Sequence, residues 1–246
     1  MTRFVSTLAA LTLAAPLPLV SQALPSATQV HAKYIEALGG RDAIAGQKHR
    51  TTYGHFEVPA QGLTGPITIY TSAPNLVFTR IEIPGIGEIT SGYDGETAWS
   101  NNPMMGPMLV EGKALDQMKQ QADMYASLNP ERFVKAAEVV KVTEFQGKRC
   151  YELKVTTNWD ETYTEYYDVA TGLLHAMVRT QASPAGDLEA TSVFTNYAEH
   201  EGMKSPGTIT VNVMGMTQVV VTDSVSFGAI PAARYELPQA IKALKK

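Results

Sequence analysis

Short segments with period-two alternation recur along most of this sequence, and they restrict the possible folds more than any other feature. Between Thr51 and Thr97, and again between Cys150 and Phe227, β-branched and aromatic residues occupy alternate positions. Turn pairs such as Pro84-Gly85 and Asp94-Gly95 interrupt the alternation. Alternating residues point to opposite faces of a strand, and short turns join neighbouring strands antiparallel. The sequence therefore predicts about 10–11 antiparallel strands.

Two segments have helical periodicity instead. Ser26 and Gln29 form a capping-box pair at the start of the first segment, and Gly39-Gly40 ends it. The second segment runs from Lys113 to Leu128. Its apolar stripe consists of Leu115, Met118, Ala122 and Tyr125. Each segment is predicted to form an amphipathic helix with one buried face.

A sheet with this many strands twists and curls, so it has a concave face that other elements must cover. The two helices are the only candidates for this cover. The predicted fold class is α+β: an incomplete antiparallel β-barrel, which is a strongly curved sheet, with helices over its concave face. If the helices fill the concavity incompletely, an apolar cavity remains between them and the sheet.

Residues 1–23 have the features of a secretory signal peptide. Arg3 precedes an apolar run from Phe4 to Val20, and small residues follow at Ser21-Gln22-Ala23. The run is short for a membrane span and contains two prolines, which argues against a membrane anchor. We expect cleavage after Ala23 and a soluble protein in the periplasm.

Residues 24–246 are predicted to form a single domain, because no repeat and no biased linker divides them. Cys150 is the only cysteine, so no internal disulfide can form. The chain has 20 Lys and Arg against 24 Asp and Glu, which gives a formal net charge of −4. This mild acidity disfavours nucleic acid as a partner. A monomer is expected.

Several motifs follow one another in an order that resembles a known family. Asp94-Gly95-Glu96-Thr97-Ala98-Trp99 comes after a strand that contains Pro74 and Arg80. The later motifs are Gly147-Lys148-Arg149-Cys150-Tyr151-Glu152-Leu153, Tyr167-Asp168, Thr171-Gly172, Tyr197, Pro206 and Phe227. In order and spacing, the chain from Ala27 to Phe227 resembles the LolA/LolB-like periplasmic lipoprotein carriers, the outer-membrane lipoprotein-sorting type.

This resemblance implies an incomplete β-barrel whose helices form a lid over a hydrophobic cavity. It further implies a periplasmic carrier or chaperone that binds acyl chains of lipoproteins, or another lipid, without catalysis. By position, Arg80 corresponds to the family's arginine that holds the lid through hydrogen bonds to helix residues. The segment from Asn101 to Met108 departs from the family, in which an aspartate and a tyrosine follow the tryptophan. The identity of the ligand therefore stays open.

Ten residues are predicted to line the cavity or its lid. Five of the chain's ten methionines lie between Met104 and Met124, and unbranched, polarizable thioethers adapt to ligands of varied shape. The alternatives are a gap-filling core for the methionines and the helix stripe, structural burial for Trp99, and exposure to water for Arg80. The ten residues are Phe78, Arg80, Trp99, Met104, Met105, Met108, Leu115, Met118, Ala122 and Tyr125.

No catalytic residue, metal site or cofactor is predicted. The five histidines are dispersed, and the motifs His-Glu-x-x-His, Gly-x-Ser-x-Gly and Gly-x-Gly-x-x-Gly are absent. Glu161 and Glu165 share a strand face with Tyr163, a pattern typical of a solvated sheet surface; a hydrolytic acid pair is the alternative. We therefore expect a non-enzymatic protein. The alternative to a carrier is a periplasmic binding or sensory module that recognises a protein partner or an envelope signal through the same concave face.

Overall fold

A computed structural model describes residues 23–181 and 186–245, so the predicted signal peptide lies outside the described residues except for Ala23. The α-helices within these ranges are α1 (Ala27–Ala37), α2 (Arg41–Gly46), α3 (Gly112–Ala122) and α4 (Gln239–Lys242). None of them is long and apolar enough to cross a membrane.

The described ranges also contain fifteen strands, more than the sequence predicts. They are β1 (His49–Val58), β2 (Leu63–Ser72), β3 (Leu76–Ile83), β4 (Gly87–Tyr93), β5 (Ala98–Asn102), β6 (Gly106–Val110), β7 (Val134–Phe145), β8 (Lys148–Thr157), β9 (Thr162–Asp168), β10 (Leu174–Gln181), β11 (Leu188–Thr195), β12 (Ala198–His200), β13 (Met203–Ser205), β14 (Thr208–Val213) and β15 (Met216–Ser226).

Thirteen of the described strands form one antiparallel sheet in the order β6-β5-β4-β3-β2-β1-β15-β14-β11-β10-β9-β8-β7. The other two, β12 and β13, form a separate hairpin. The large sheet is open, with β6 and β7 as its edges. Strand β1 pairs with both β2 and β15, so it joins an N-terminal half (β1–β6) to a C-terminal half (β7–β11 with β14 and β15). This arrangement is the strongly curved, incomplete barrel that the sequence predicts.

Helix α3 lies in the concavity and contacts both halves of the sheet. Its residues Leu115, Met118 and Ala122 pack in one cluster with Tyr93 and Ala98 of the N-terminal half. On its other side, the Gln117 side-chain amide donates to the Thr180 carbonyl of β10, at 2.8 Å. The helix ends at Ala122 rather than at Leu128, because the backbone is extended at Asp123, whose carboxylate accepts the Tyr125 backbone N–H at 2.8 Å.

The convex face of the N-terminal half is covered by the C-terminal segment of the chain. The Tyr235 hydroxyl lies 2.6 Å from the Ser72 hydroxyl, and the Arg234 guanidinium lies over the rings of Tyr70 and Phe78 at 4.6 and 5.9 Å. Helix α4 contacts β6, and its Ile241 is fully buried. Both faces of the N-terminal half are therefore covered.

Helix α1 covers the C-terminal half from the concave side. The predicted capping box is present: the Gln29 N–H donates to the Ser26 hydroxyl, and the Ser26 N–H donates to the Gln29 side chain. At the other end, the Lys204 N–H of the β12–β13 hairpin donates to the Leu38 carbonyl at 2.8 Å. Gly39 has a φ of 119°, and a Cβ there would lie 2.1 Å from the carbonyl oxygen of Gly202, so this close approach requires glycine.

Candidate ligand-binding cavity

A cavity of about 450 Å³ lies between α1, the segment that follows α3, and strands β7–β10 on the concave face. Small-molecule sites occupy roughly 300–1,000 Å³, so this volume suits one ligand. The wall is largely apolar and aromatic, and its main members are Ala27, Tyr34, Ala126, Phe133, Val134, Ala137, Leu153, Val155, Tyr163, Tyr167 and Leu174.

The alternating pattern of β8 and β9 creates this wall. Leu153 and Val155 of β8 pair with Glu165 and Tyr163 of β9, so their side chains share one face. That face packs against α1 in a buried cluster that includes Val30. The ring of Tyr34 on α1 meets the ring of Tyr167 edge to face, with centroids 5.3 Å apart. At the start of α1, the short side chains of Ala27 and Thr28 leave part of the space between the helix and this face unfilled.

Glu165 is the polar exception on the inner wall. The Tyr167 hydroxyl donates to its carboxylate at 2.9 Å. Burial raises the pKa of the Glu165 carboxyl above its usual 4.5, although the Tyr167 hydrogen bond and the charge of Arg179 pull it down. Burial also raises the pKa values of Tyr34, Tyr163 and Tyr167, so these hydroxyls remain protonated. The sheet side of the wall thus combines a hydrocarbon surface with one carboxyl group, and the exposed Glu131 adds a second from the segment that follows α3.

A buried polar cluster beside the cavity ties α3 to the C-terminal half; we call it the α3 anchor. Its members are Gln117, Gln120, Trp159, Glu161 and Arg179. Arg179 forms a bidentate pair with Glu161, with Nε–Oε1 at 2.8 Å and Nη2–Oε2 at 3.0 Å. The Gln117 side-chain amide and the Trp159 indole each donate to Glu161 at 2.9 Å. Arg179 Nη1 donates to the side-chain oxygen Oε1 of Gln120 at 3.1 Å.

The α3 anchor is satisfied in its ionised form. Glu161 and Arg179 are only 6% and 8% exposed. Burial pushes the pKa of Glu161 up, but the hydrogen bonds from Arg179, Trp159 and Gln117 outweigh it, so the pKa lies below 4.5. The guanidinium also lies over the Tyr163 ring, 4.9 Å from its centroid. Its charge is therefore already compensated within the protein.

These contacts overturn the expectation that Glu161 and Glu165 lie on a solvated surface. The shared face was predicted correctly, but it is the concave one. The available signal was the aromatic content of this face. Tyr163 and Tyr167 share a strand face with Glu165, and the residues of β8 that pair with this face are apolar. Arg179, which supplies the counter-charge, was missed by the sequence analysis because only β-sheet pairing brings it near Glu161.

None of the ten residues predicted to line the cavity or its lid is on the wall of this cavity. Leu115, Met118 and Ala122 pack as core between α3 and the N-terminal half. The Tyr125 hydroxyl donates to the Gln47 carbonyl at 2.8 Å. Its ring joins the cluster around Leu38.

Phe78, Arg80 and Trp99 lie on the convex face, away from α3. Phe78 and Trp99 are neighbours, with ring centroids 6.0 Å apart, and Trp99 is only 2% exposed. Arg80 is exposed and forms ion pairs with Glu82 at 2.9 Å and with Glu88. The lid-holding role that the resemblance implied for Arg80 is therefore corrected: its guanidinium bonds to its own sheet, and Arg179 makes the contact with a helix.

The methionines at the β5–β6 turn lie outside the concavity. Met104 and Met105 occupy the turn and are 80% and 57% exposed. Met108 follows on β6 and is partly buried. Met108 shares a strand face with Val110, which packs against α3, but none of these three methionines lines the cavity beneath α1.

The single cysteine of the chain, Cys150, lies on β8. The Cys150 side chain is fully buried, and burial raises the pKa of its thiol to about 11, which leaves it protonated. Within residues 23–181 and 186–245, no group of three or more His, Cys, Asp or Glu side chains is arranged to hold a metal ion.

The sequence matches no protein-family model and no curated protein. Solved structures are similar in fold. A DUF1329 family protein from Desulfovibrio piger aligns with a TM-score of 0.58 at 10% identity, over 85% of this chain and 96% of that one. A LolA superfamily protein from Nitrosomonas europaea aligns with a TM-score of 0.56 at 11% identity, over 87% of this chain and 99% of that one. The fold is thus LolA-like, which confirms the resemblance at the level of architecture.

Proposed function

We propose that the protein is a periplasmic carrier that holds the acyl chain of a lipoprotein, or another lipid, in the cavity beneath α1. No bond is made or broken in this function. The observation that carries the proposal is the apolar space of about 450 Å³ between a helical cover and the curved sheet. The LolA-like fold supports the same function, because the resemblance implies such a cavity.

Affinity in this function comes from burial of hydrocarbon. Each methylene transferred from water contributes about 0.8 kcal/mol, so affinity should increase with chain length until the cavity is full. The cavity reaches the surface beside Thr28, Lys135, Ala136 and Ala137, which are exposed residues on its wall. A guest can therefore enter between the start of α1 and the start of β7.

A matched pair of tryptophan substitutions on α1 tests the proposal. Ala27 lines the cavity and Ala32 is exposed on the same helix. Ala27→Trp should fill the entrance and weaken binding of a fluorescent acyl probe at least tenfold, which is about 1.4 kcal/mol. Ala32→Trp should bind the probe like the parent protein. Far-UV circular dichroism and the melting temperature verify that both variants fold.

Equal binding by both variants would refute a site beneath α1. Native mass spectrometry of protein purified without detergent gives an independent test, because a carrier should retain a lipid. A pull-down from a membrane extract separates a carrier from the alternative module: a carrier should return with lipid, and a sensory module with a defined protein.

A further inference from the structure

The inner wall of the cavity carries a carboxyl group that the α3 anchor does not use. Glu165 lines the cavity, and the Tyr167 hydroxyl donates to its Oε2 at 2.9 Å. Among the described residues, Glu165 Oε1 has no hydrogen-bond partner. A ligand in the cavity thus meets an open acceptor on a largely hydrocarbon sheet wall, whereas the other lining carboxylate, Glu131, is exposed and lies outside the sheet.

The cations near this carboxyl group are already compensated. Arg179 is the charge that acts on Glu165, and it is bound bidentately to Glu161. Lys135 lies at the cavity mouth and pairs with Asp160 at 2.7 Å.

The groups that face Glu165 from α1 and β1 do not supply a counter-charge on the wall. On α1, His31 lines the cavity, and burial together with Arg41 lowers its pKa, which favours the neutral ring. Tyr34 stays protonated. Arg50 of β1 interacts with Tyr34 and is not among the cavity-lining residues.

We infer that this cavity selects apolar ligands that end in a charged amine or another hydrogen-bond donor, and that it discriminates against fatty acids. The inference rests on the proposed function, because it concerns the polar end of the guest. An ammonium group at Glu165 forms a charge-assisted hydrogen bond with Oε1, the carboxylate oxygen that Tyr167 does not occupy. A ligand carboxylate would instead meet a like charge, or would have to remain protonated.

Three probes of equal chain length, dodecylammonium, dodecanol and dodecanoate, test the inference by calorimetric titration below the micelle concentrations of the two ions and below the solubility limit of dodecanol. The parent protein should bind dodecylammonium at least about tenfold more tightly than dodecanoate, the range expected for one charged hydrogen bond. Glu165→Gln should reduce this ratio to about threefold or less. Glu138→Gln, which removes an exposed carboxylate from β7, should leave the ratio unchanged.

The pH dependence of binding gives a second readout. Affinity for dodecylammonium should rise as the pH increases above 4.5 and Glu165 ionises, because the ligand stays charged over that range. Dodecanol affinity should stay nearly constant, and Glu165→Gln should remove the rise for the ammonium probe.

The inference would be overturned if dodecanoate bound as tightly as dodecylammonium, or if Glu165→Gln left the ratio of their affinities unchanged. In either case, binding of dodecanol would still support the carrier function. Failure of all three probes to bind would overturn the carrier function and the inference together.

Discussion

Each half of the sheet has a helix over its concave face, but side chains fill the space beneath the two helices to different degrees. In the N-terminal half, α3 brings Ala122 against Tyr93 and Ala98, and all three are nearly inaccessible to solvent. In the C-terminal half, α1 leaves a space of about 450 Å³ over Leu153 and Val155. A helix over a concave sheet does not by itself define a binding site. The site is defined by the volume that the side chains of helix and sheet leave unfilled between them.

The α3 anchor links the two halves, and breaking it should have the largest effect on stability. Arg179→Ala leaves Glu161 as an uncompensated buried charge, which should lower the free energy of unfolding by about 3–5 kcal/mol. Arg80→Ala removes an exposed ion pair and should cost at most about 1 kcal/mol. Urea denaturation measures both. A larger loss from Arg80→Ala than from Arg179→Ala would contradict the importance assigned to the α3 anchor.

A core deletion in the N-terminal half should separate stability from binding. Leu115→Ala removes contacts with Tyr93 and Ala98 and should lower the free energy of unfolding by about 2 kcal/mol, because Leu115 is only partly buried. Binding of an acyl probe at a temperature where the variant is folded should not change. Selective loss of binding at unaltered stability would mean that α3, rather than α1, lines the site.

The two carboxylates of the C-terminal half should give opposite and smaller pH effects. Glu161 has a lowered pKa in the folded protein, so its stabilisation is present above 4.5 and is lost as the pH falls below that value. Glu165 has a raised pKa, so the folded state retains a proton that the unfolded chain releases. The contribution of Glu165 to stability should therefore fall as the pH rises from 4.5 to the raised pKa.

The variant Glu165→Gln should lack that decline, and urea midpoints measured between pH 4 and pH 8 will show it. Glu138→Gln, on the outer surface of β7, should follow the parent curve. A parent curve that rises across the interval and is not altered by Glu165→Gln would contradict the assigned environment of Glu165.

The sequence correctly predicted the features that depend only on residues close together in the chain, such as a helix cap and the alternation of a strand. Ser26 and Gln29 cap α1 as expected, and the alternation of Leu153 and Val155 does place them on one buried face. Strand β7 was not anticipated in full, because its exposed Ala and Glu residues have low β-propensity and edge pairing with β8 stabilises it.

The location of the site could not be predicted because it depends on which face of each strand is concave. Phe78 and Arg80 lie two residues apart on β3 and therefore share a face, yet nothing local identifies that face as convex. Met104 and Met105 are near α3 in sequence, but a turn directs them into water. The cavity itself follows from side-chain volumes on α1, β8 and β9, which meet only after the sheet has formed.

The glycine at the end of α1 has a mechanical consequence. Gly39 is pressed against the backbone of Gly202, whereas Ala27 is at the cavity mouth, at the opposite end of an 11-residue helix. Ala27 lies about 16 Å along the helix from Gly39, so a tilt of α1 by about 10° about Gly39 would move Ala27 by about 3 Å. The entrance of the cavity thus lies at the end of α1 that a given tilt would displace the most.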